Sequence, residues 1–567
     1  MTISTAQPPN GVERRTAQTV RSLFDRECRF EIPSYQRSYS WELKQLRQLV
    51  EDLMDHPGGT PYYYGHFIFE SGAQAEQLLI IDGQQRLTTL VLFISTLTRE
   101  LAQREGGEDG NLSRLKQYYL ADRLRTVGDD QDAFTDLVAH GETADRSGSR
   151  SKRRLIDASR FFQRAIRNRD SETLVSWLGM LEDSEITTFT VYDKPQAAQI
   201  FTLQNSRGKD LTGLEKLKAY LMFGIYLNAE QARSEDEIAK VERSFTAIYR
   251  HIENLTLLNE DTVLGHHDRA YSQHWDSPLE NLKRDLNASE RGDLRVQKII
   301  DYSKALAATF QHVSELEKII HHDEVIADPV ILDGYNSWPL LIKLYRFHGD
   351  ALKSDTQIRT LLRNVEIVFL KLHFQHGRSS NDLIGMTKGF DGSSGKLEQL
   401  CEKMAQFVTR GFRWRSDFDQ KVQNQLDGDY HYNSIYRYIL WKYENDERRS
   451  GDEMVSPANY LNLIQNRRMD STIEHIAPRN GDYTEEFRNR WINNLGNLLL
   501  MPRGMNSSLS DNLPVEKAKE LDTSYKSHRE VRDIITASGG WTEHDIKTRK
   551  DNLIIFIQRR WRIQQIP

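Results

Sequence analysis

Cysteine is nearly absent from this chain. Cys28 and Cys401 are its only two, far apart and in no paired spacing, which excludes a disulfide scaffold or a Cys-based zinc site and suits a reducing cytosol. A cytoplasmic protein is therefore expected. An excess of positive charge is missing too: 76 Lys and Arg stand against 82 Asp and Glu, for a formal net charge of -6. No global basic field marks the chain, so any contact with DNA must use local patches. Long apolar runs are also lacking. The nearest candidate, Leu87 to Leu97, is broken by Thr88, Thr89, Ser95 and Thr96, far short of the ~20 apolar residues of a membrane span, and reads as a buried helix. Met1 to Gly11 is polar, with two prolines and no apolar core behind a basic start, unlike a secretion signal. What the chain does have is length. Its 567 residues, 38% of them hydrophobic, suffice for roughly two to four domains.

The pattern changes quickly between Arg29 and Arg86. Short β-prone pieces (Phe30 to Ile32, Tyr62 to Phe69, Gln77 to Ile81) flank one helical stretch near Leu43 to Met54, which predicts a small α/β unit. Helical spacing then takes over at Leu87 to Leu101, Leu112 to Leu124, Leu155 to Arg167 and Ser171 to Leu181, with a mobile loop expected at Gly141 to Arg154. A β-prone piece returns at Ile186 to Tyr192. Residues 1–220 are thus expected to form an N-terminal domain with a helical insertion at about 100–180. Amphipathic helices fill 221–431, a helical connector with a flexible loop at Gly392 to Lys396, and a final domain spans 432–567. The expected class is α+β, predominantly helical.

Three N-terminal segments carry chemistry. Leu78 to Thr89 reads as a buried strand, a glycine turn and the opening of an apolar helix. Backbone N–H groups and the positive end of the helix dipole converge at such a junction, Gly83 permits close approach, and Arg86 can fork onto a phosphate. Asp82 could hold a metal or a ribose hydroxyl and Gln84 or Gln85 could orient a water; equally, Asp82 could cap the helix while Arg86 pairs with an acidic neighbour. Upstream, Tyr35, Tyr39 and Trp41 interleave with Gln36 and Arg37, a pattern suited to stacking a base and bonding phosphate or base edges. A strand with its aromatics in the core has the same spacing. Phe201 to Leu211 places Asn205, Arg207 and Lys209 around a glycine turn.

Together these segments closely resemble the N-terminal domain of the GmrSD and SspE type of modification-dependent restriction proteins, on Pro33 to Trp41, Asp82 to Arg86, and Phe201 to Leu211 with Lys218 in the following helix. The resemblance implies a ParB-like nucleotide-binding fold that couples hydrolysis of a nucleoside triphosphate, GTP or ATP, to sensing of modified DNA. It also implies that Asp82, Gly83, Gln84, Gln85 and Arg86 serve the nucleotide, with Asn205, Arg207 and Lys209 as partners and Tyr35, Gln36 and Arg37 as DNA contacts.

Near the other end, Ile473-Glu474-His475-Ile476-Ala477-Pro478 is followed by Gly-Asn-Leu at Asn497 and Met-Asn-Ser at Asn506. Attack on a phosphodiester at neutral pH needs a base for the water's proton and a cation for the leaving oxygen. His475 can be that base, and Glu474 with Asn506 can hold the cation. The strand, strand, helix order, closing with a helix around Val515 to Leu521, resembles the ββα-metal, or HNH, nuclease fold of the same restriction family. Matched to that motif, Asn497 braces the hairpin and Lys517 contacts phosphate. With few further ligands, Asp470 in reserve, Mg2+ or Mn2+ fits better than zinc. The cations of Ile546 to Pro567 (Lys547, Arg549, Lys550, Arg559, Arg560, Arg562) offer a local basic surface.

The function expected is an anti-phage restriction protein that senses modified DNA, hydrolyses a triphosphate and cuts or nicks DNA, with no membrane partner and with homo-oligomers open to it. The alternatives are a nucleotide-gated DNA-binding regulator with an inactive nuclease domain, and an RNA-directed nuclease or toxin.

Overall fold

A computed structural model of the chain describes residues 12–25, 28–56, 60–72, 76–104, 123–127, 130–143, 149–192, 212–230, 232–272, 277–288, 291–373, 381–410, 434–466, 473–501 and 512–561. Two compact units emerge. One contains the chain up to Asp268 together with Ser272–Ser314; the other contains Arg269–Tyr271 and the chain from Glu315 onward.

The first unit is built on a mixed sheet of six strands: β1 (Val12–Thr19), β2 (Arg29–Glu31), β3 (Tyr63–Ser71), β4 (Gln77–Asp82), β5 (Leu124–Arg125) and β6 (Glu185–Val191), ordered β1-β6-β3-β4-β2-β5. β1 runs antiparallel to β6 and β3 to β4, while β3 is parallel to β6 and β2 is parallel to both β4 and β5. Alternation along the central strands covers both faces. Phe67, Phe69, Leu78 and Ile80 enter the main core, and Ile68, Ile81 and Val191 enter a smaller cluster with Ala219. Strands packed on both sides lose the polar-out alternation, which explains the nearly continuous apolar run Leu78 to Ile81.

The helix Gln84–Arg104 follows β4 directly and packs against the helices Asp130–His140, Arg150–Ile166 and Ser171–Glu182. Its Leu87, Leu90, Phe93, Ile94 and Leu97 are completely buried, and Phe93 stacks on Phe162 with ring centroids 4.2 Å apart. The hydroxyls of Ser95, Thr96 and Thr98 donate to the carbonyls of Val91, Leu92 and Ile94 at 2.6, 2.8 and 2.9 Å. Those polar groups are therefore satisfied inside an apolar helix. No helix among the described residues is long and apolar enough to cross a membrane.

Two loops expected from composition contain helix instead. Ser149 accepts a hydrogen bond from Lys152 N at 3.1 Å and caps the helix that begins at Arg150, so the basic run is helical. In the second unit, Gly392 takes a positive φ of 100°, and the helix Ser394–Arg410 opens two residues later. Of the helix expected at Leu112 to Leu124, residues 112–122 lie outside the described residues and Leu124 is in β5.

Among its described residues, the second unit is helical apart from one hairpin. The helices Glu324–His348, Thr356–His373, Asn381–Lys388, Ser394–Arg410, Ser434–Asn445 and Pro457–Asn466 precede β7 (Ile473–His475) and β8 (Leu498–Leu500), and Pro514–Glu520, Lys526–Ser538 and Glu543–Arg560 follow. The molecule is thus α+β and mostly helical. Of the basic surface expected on the last helix, Lys547 is exposed, Arg562 lies outside the described residues, and the other four cations are buried or paired. Arg549 and Lys550 are buried, Arg559 pairs with Asp446 and Glu447, and Arg560 lies 3.8 Å from Asp328 and 3.7 Å from Glu366. Its apolar face draws the long side chains inward.

Candidate functional site

In the first unit, chemistry gathers where β4 ends and the helix Gln84–Arg104 begins. Gly83 makes the turn at φ 92°, and a Cβ there would lie 2.4 Å from Phe67 Cδ1, so both backbone and space require glycine. Asp82 Oδ2 lies 3.2 Å from both His66 Nε2 and Arg86 Nη2, and the same Arg86 nitrogen donates to His66 O at 2.8 Å. Burial pushes the Asp82 carboxyl up, but His66, Arg86 and the Gly83 N–H outweigh it and hold it below its ordinary value. It is an anion at neutral pH.

The two glutamines of the turn face inward. Gln84 and Gln85 are 7% and 8% exposed. Gln84 Nε2 donates to Arg37 O at 3.2 Å, Gln85 Nε2 donates to Ser38 O at 3.1 Å, and Gln85 Oε1 accepts from Ser40 N at 2.8 Å. They staple the loop carrying Tyr35 to Trp41 onto the helix. Within that loop Gln36 donates to Ile81 O at 3.0 Å and accepts from Lys218 Nζ at 3.1 Å. Lys218 sits 5.1 Å from the centre of the Tyr35 ring, and burial pushes its ammonium down to about 8. Arg37 pairs with Glu215 at 3.1 Å.

In the second unit, the hairpin pairs Glu474 with Leu499 and His475 with Leu498. Asn497 has no exposed surface, and its side chain makes four hydrogen bonds. Oδ1 accepts from Ala477 N at 2.8 Å and Trp541 Nε1 at 3.1 Å, while Nδ2 donates to Ala477 O at 3.1 Å and Ile492 O at 2.8 Å. Beneath the turn, Arg549 donates to Gly496 O at 2.8 Å and Leu498 O at 2.7 Å. A Cβ on Gly496 would stand 2.0 Å from Ile546 O, so the helix Glu543–Arg560 lies against this turn backbone to backbone. His475, on the partner strand, has Nε2 3.2 Å from Asn493 Oδ1 and 3.4 Å from Arg479 Nε. Burial, then Arg479 and Lys517, push its imidazole down to about 4 against the opposing Asn493 contact. At pH 7 the ring is neutral and can accept a proton.

A family model for the N-terminal domain of the GmrSD restriction endonuclease matches residues 20–222, and one for the C-terminal domain of GmrSD restriction endonucleases matches residues 414–555. The chain belongs to the GmrSD restriction endonuclease family. No curated protein matches it. Membership carries a restriction nuclease role and DNA as the partner.

Several expected site residues of this GmrSD chain lie elsewhere than the surface. Tyr35 and Gln36, expected at DNA, are 8% and 4% exposed. Gln36 is turned inward by its bonds to Ile81 and Lys218, and the Tyr35 ring packs beside the Lys218 ammonium. Lys517, expected at a phosphate, is 2% exposed; its ammonium pairs with Glu474 and donates to His475 O at 2.6 Å. The exposed cation beside His475 is Arg479. Asp82, Gly83 and Arg86 are brought together, as are Glu474, His475 and Lys517, whereas Asn205, Arg207, Lys209, Asp470 and Asn506 lie outside the described residues.

His66 and Trp541 were missed by sequence reasoning, and Arg549, expected on a basic surface, clamps the hairpin turn instead. A histidine inside a β-prone run beside Gly65 was the only signal for His66, and spacing held none for Trp541. Among the described residues no three His, Cys, Asp or Glu side chains converge as a metal cage. Glu474 offers one carboxylate already balanced by Lys517. One buried, paired carboxylate is not a tightly caged zinc site.

Proposed function

We propose that the chain is a cytoplasmic, modification-sensing restriction endonuclease. In this reading residues 432–567 form an HNH-type nuclease, residues 1–220 a ParB-like domain that senses modified DNA and hydrolyses a nucleoside triphosphate, and 221–431 a helical connector. The nuclease reading is carried by one observation: a neutral His475 on a hairpin whose turn is braced through Asn497, with Glu474 as its neighbour in the strand.

His475 accepts the proton of the water that attacks the phosphodiester. The water's oxygen bonds to phosphorus as the bond to the leaving sugar oxygen breaks. Asn497 holds the His475 strand in register, and Arg479 contacts a phosphate oxygen in place of Lys517. Glu474, exchanging Lys517 for the ion, and Asn506 would hold a divalent magnesium or manganese ion, which would offset charge on the leaving oxygen. In the first domain, the outer edge of the Arg86 guanidinium takes the triphosphate, Asn205, Arg207 and Lys209 complete its site, and differential affinity for two arrangements couples it to cutting.

The test is a cleavage panel on DNAs differing only in modification, plus an RNA of the same sequence, with and without each triphosphate and with magnesium or chelator. Cutting of modified DNA that disappears in His475→Ala and with chelator is the expected result. Retained cutting by His475→Ala would overturn the base assignment, and preference for RNA would overturn the substrate.

A further inference from the structure

A strand fixes the backbone of His475 and leaves its ring to be fixed by something else. β7 sets the Cα through the pair with Leu498, but the imidazole still turns about two side-chain bonds. Which ring nitrogen carries the proton is decided by what the nitrogens meet. Nε2 meets two groups, Asn493 Oδ1 at 3.2 Å and Arg479 Nε at 3.4 Å. They ask opposite things of it. An amide oxygen only accepts, so it bonds an Nε2 that carries the proton, whereas a guanidinium only donates, so it bonds an Nε2 lone pair. Only the first arrangement leaves a lone pair on Nδ1, which has no protein partner among the described residues.

Asn493 is brought to the ring by well-anchored backbone. It follows a single π turn, Arg488–Ile492, a conformation that is rare and found mostly at functional sites. Trp491 and Ile492 before it are buried in the core beneath the hairpin, and Asn494 and Leu495 after it are buried too. The three asparagines of this segment divide the work. Asn494 accepts from Gly496 N at 3.0 Å, and Asn497 binds the backbone of Ala477 and Ile492. Both therefore shape the chain, while Asn493, half-buried, presents its amide oxygen to the imidazole. Arg479 is exposed, and in the nuclease reading it leaves for a phosphate oxygen. Asn493 is then the partner that stays with the ring when DNA is bound.

We propose that Asn493 is the positioning residue of the nuclease base: its side-chain oxygen holds the His475 proton on Nε2 and so leaves the lone pair of Nδ1 for the attacking water. The proposal rests on the nuclease reading of His475. In the chain without DNA, Arg479 competes for Nε2 and with it for the tautomer that has no lone pair on Nδ1. A phosphate that draws Arg479 away removes the competitor. The water then gives one proton to Nδ1 as its oxygen bonds to phosphorus and the bond to the leaving sugar oxygen breaks. The imidazolium keeps its Nε2–H on Asn493 until the Nδ1 proton passes to solvent.

The experiment uses the full chain and the DNA that the parent cuts, measuring single-turnover cleavage at saturating enzyme with magnesium. Asn493→Leu, which has no acceptor, should cut about 10- to 100-fold more slowly, losing part of the ~10²–10⁴ that a positioned base supplies. Asn493→Asp keeps an acceptor at the same place and should cut within about threefold of the parent, a recovery that a merely structural role would not give. The second readout is the ¹⁵N spectrum of histidine-labelled chain bound to that DNA in chelator, with the His475 signals assigned by their loss in His475→Gln. The parent should carry its ring proton on Nε2, and Asn493→Leu should shift it toward Nδ1. Cutting by Asn493→Leu within threefold of the parent, equal losses in the Leu and Asp variants, or a parent ring protonated on Nδ1 would each overturn the proposal and leave the nuclease reading standing. If the parent cuts no DNA, or His475→Ala cuts as the parent does, the nuclease reading falls and Asn493 with it.

Discussion

The two sites use charge in opposite ways. At the turn after β4, Asp82, His66 and Arg86 keep 18%, 25% and 27% of their side chains exposed. At the hairpin, Glu474 and Lys517 keep 6% and 3%. Water screens and can replace the partners of the first group, so its ion pairs contribute little to stability and are free to exchange with a ligand. The second pair is sealed, and removing either partner leaves a bare charge in the interior. The same residue types thus make a partly exposed group in one unit and an enclosed pair in the other.

The sharpest test of that contrast is Lys517→Met. It should cost about 3–5 kcal/mol in denaturant unfolding of the second unit, because Glu474 stays charged and buried without its partner. The double variant Glu474→Gln with Lys517→Met should recover part of the loss; a cost under ~1 kcal/mol for the single change would contradict the sealed pair. Next comes Asn497→Ala. It leaves Ala477 N, Ala477 O, Ile492 O and Trp541 Nε1 without their side-chain partner, and should cost at least about 2 kcal/mol. DNA cutting should fall in parallel while triphosphate turnover stays as in the parent chain.

Gly83→Ala probes the other side. Its φ of 92° and the 2.4 Å approach to Phe67 predict a loss of roughly 1–3 kcal/mol in thermal unfolding of the first unit. Arg86→Ala closes the series. Its pair with Asp82 is partly exposed, so stability should change by less than ~1 kcal/mol, yet triphosphate hydrolysis should be lost. A large stability cost there would make the first cluster a brace like the second.

The strand, turn and helix around Gly83 were legible because an apolar run, a glycine and a long apolar helix follow one another within a few residues. The hairpin was legible for the same reason, since short strands and a turn are local. Side-chain direction was not. Gln36 turns inward because Lys218 meets it from 182 residues away. Lys517 turns inward to a glutamate 43 positions earlier, and Asn497 meets a tryptophan 44 positions later. Polar residue types announce surface until a distant partner satisfies them, and spacing along the chain carries no record of that partner. The basic last helix misled in the same way: Arg549, Arg559 and Arg560 meet carbonyls of the hairpin turn and acids just after Asn445 or on other helices.

The contact between Gly496 and the helix Glu543–Arg560 has a consequence during synthesis. The ribosome delivers His475 and both hairpin strands before it delivers Ile546 and Arg549, so a nascent chain holds the strands while the floor of the turn is still missing. Its strands have no clamp on the carbonyls of Gly496 and Leu498, and Asn497 lacks Trp541. Folding in that order leaves the hairpin turn unclamped until the helix Glu543–Arg560 has emerged.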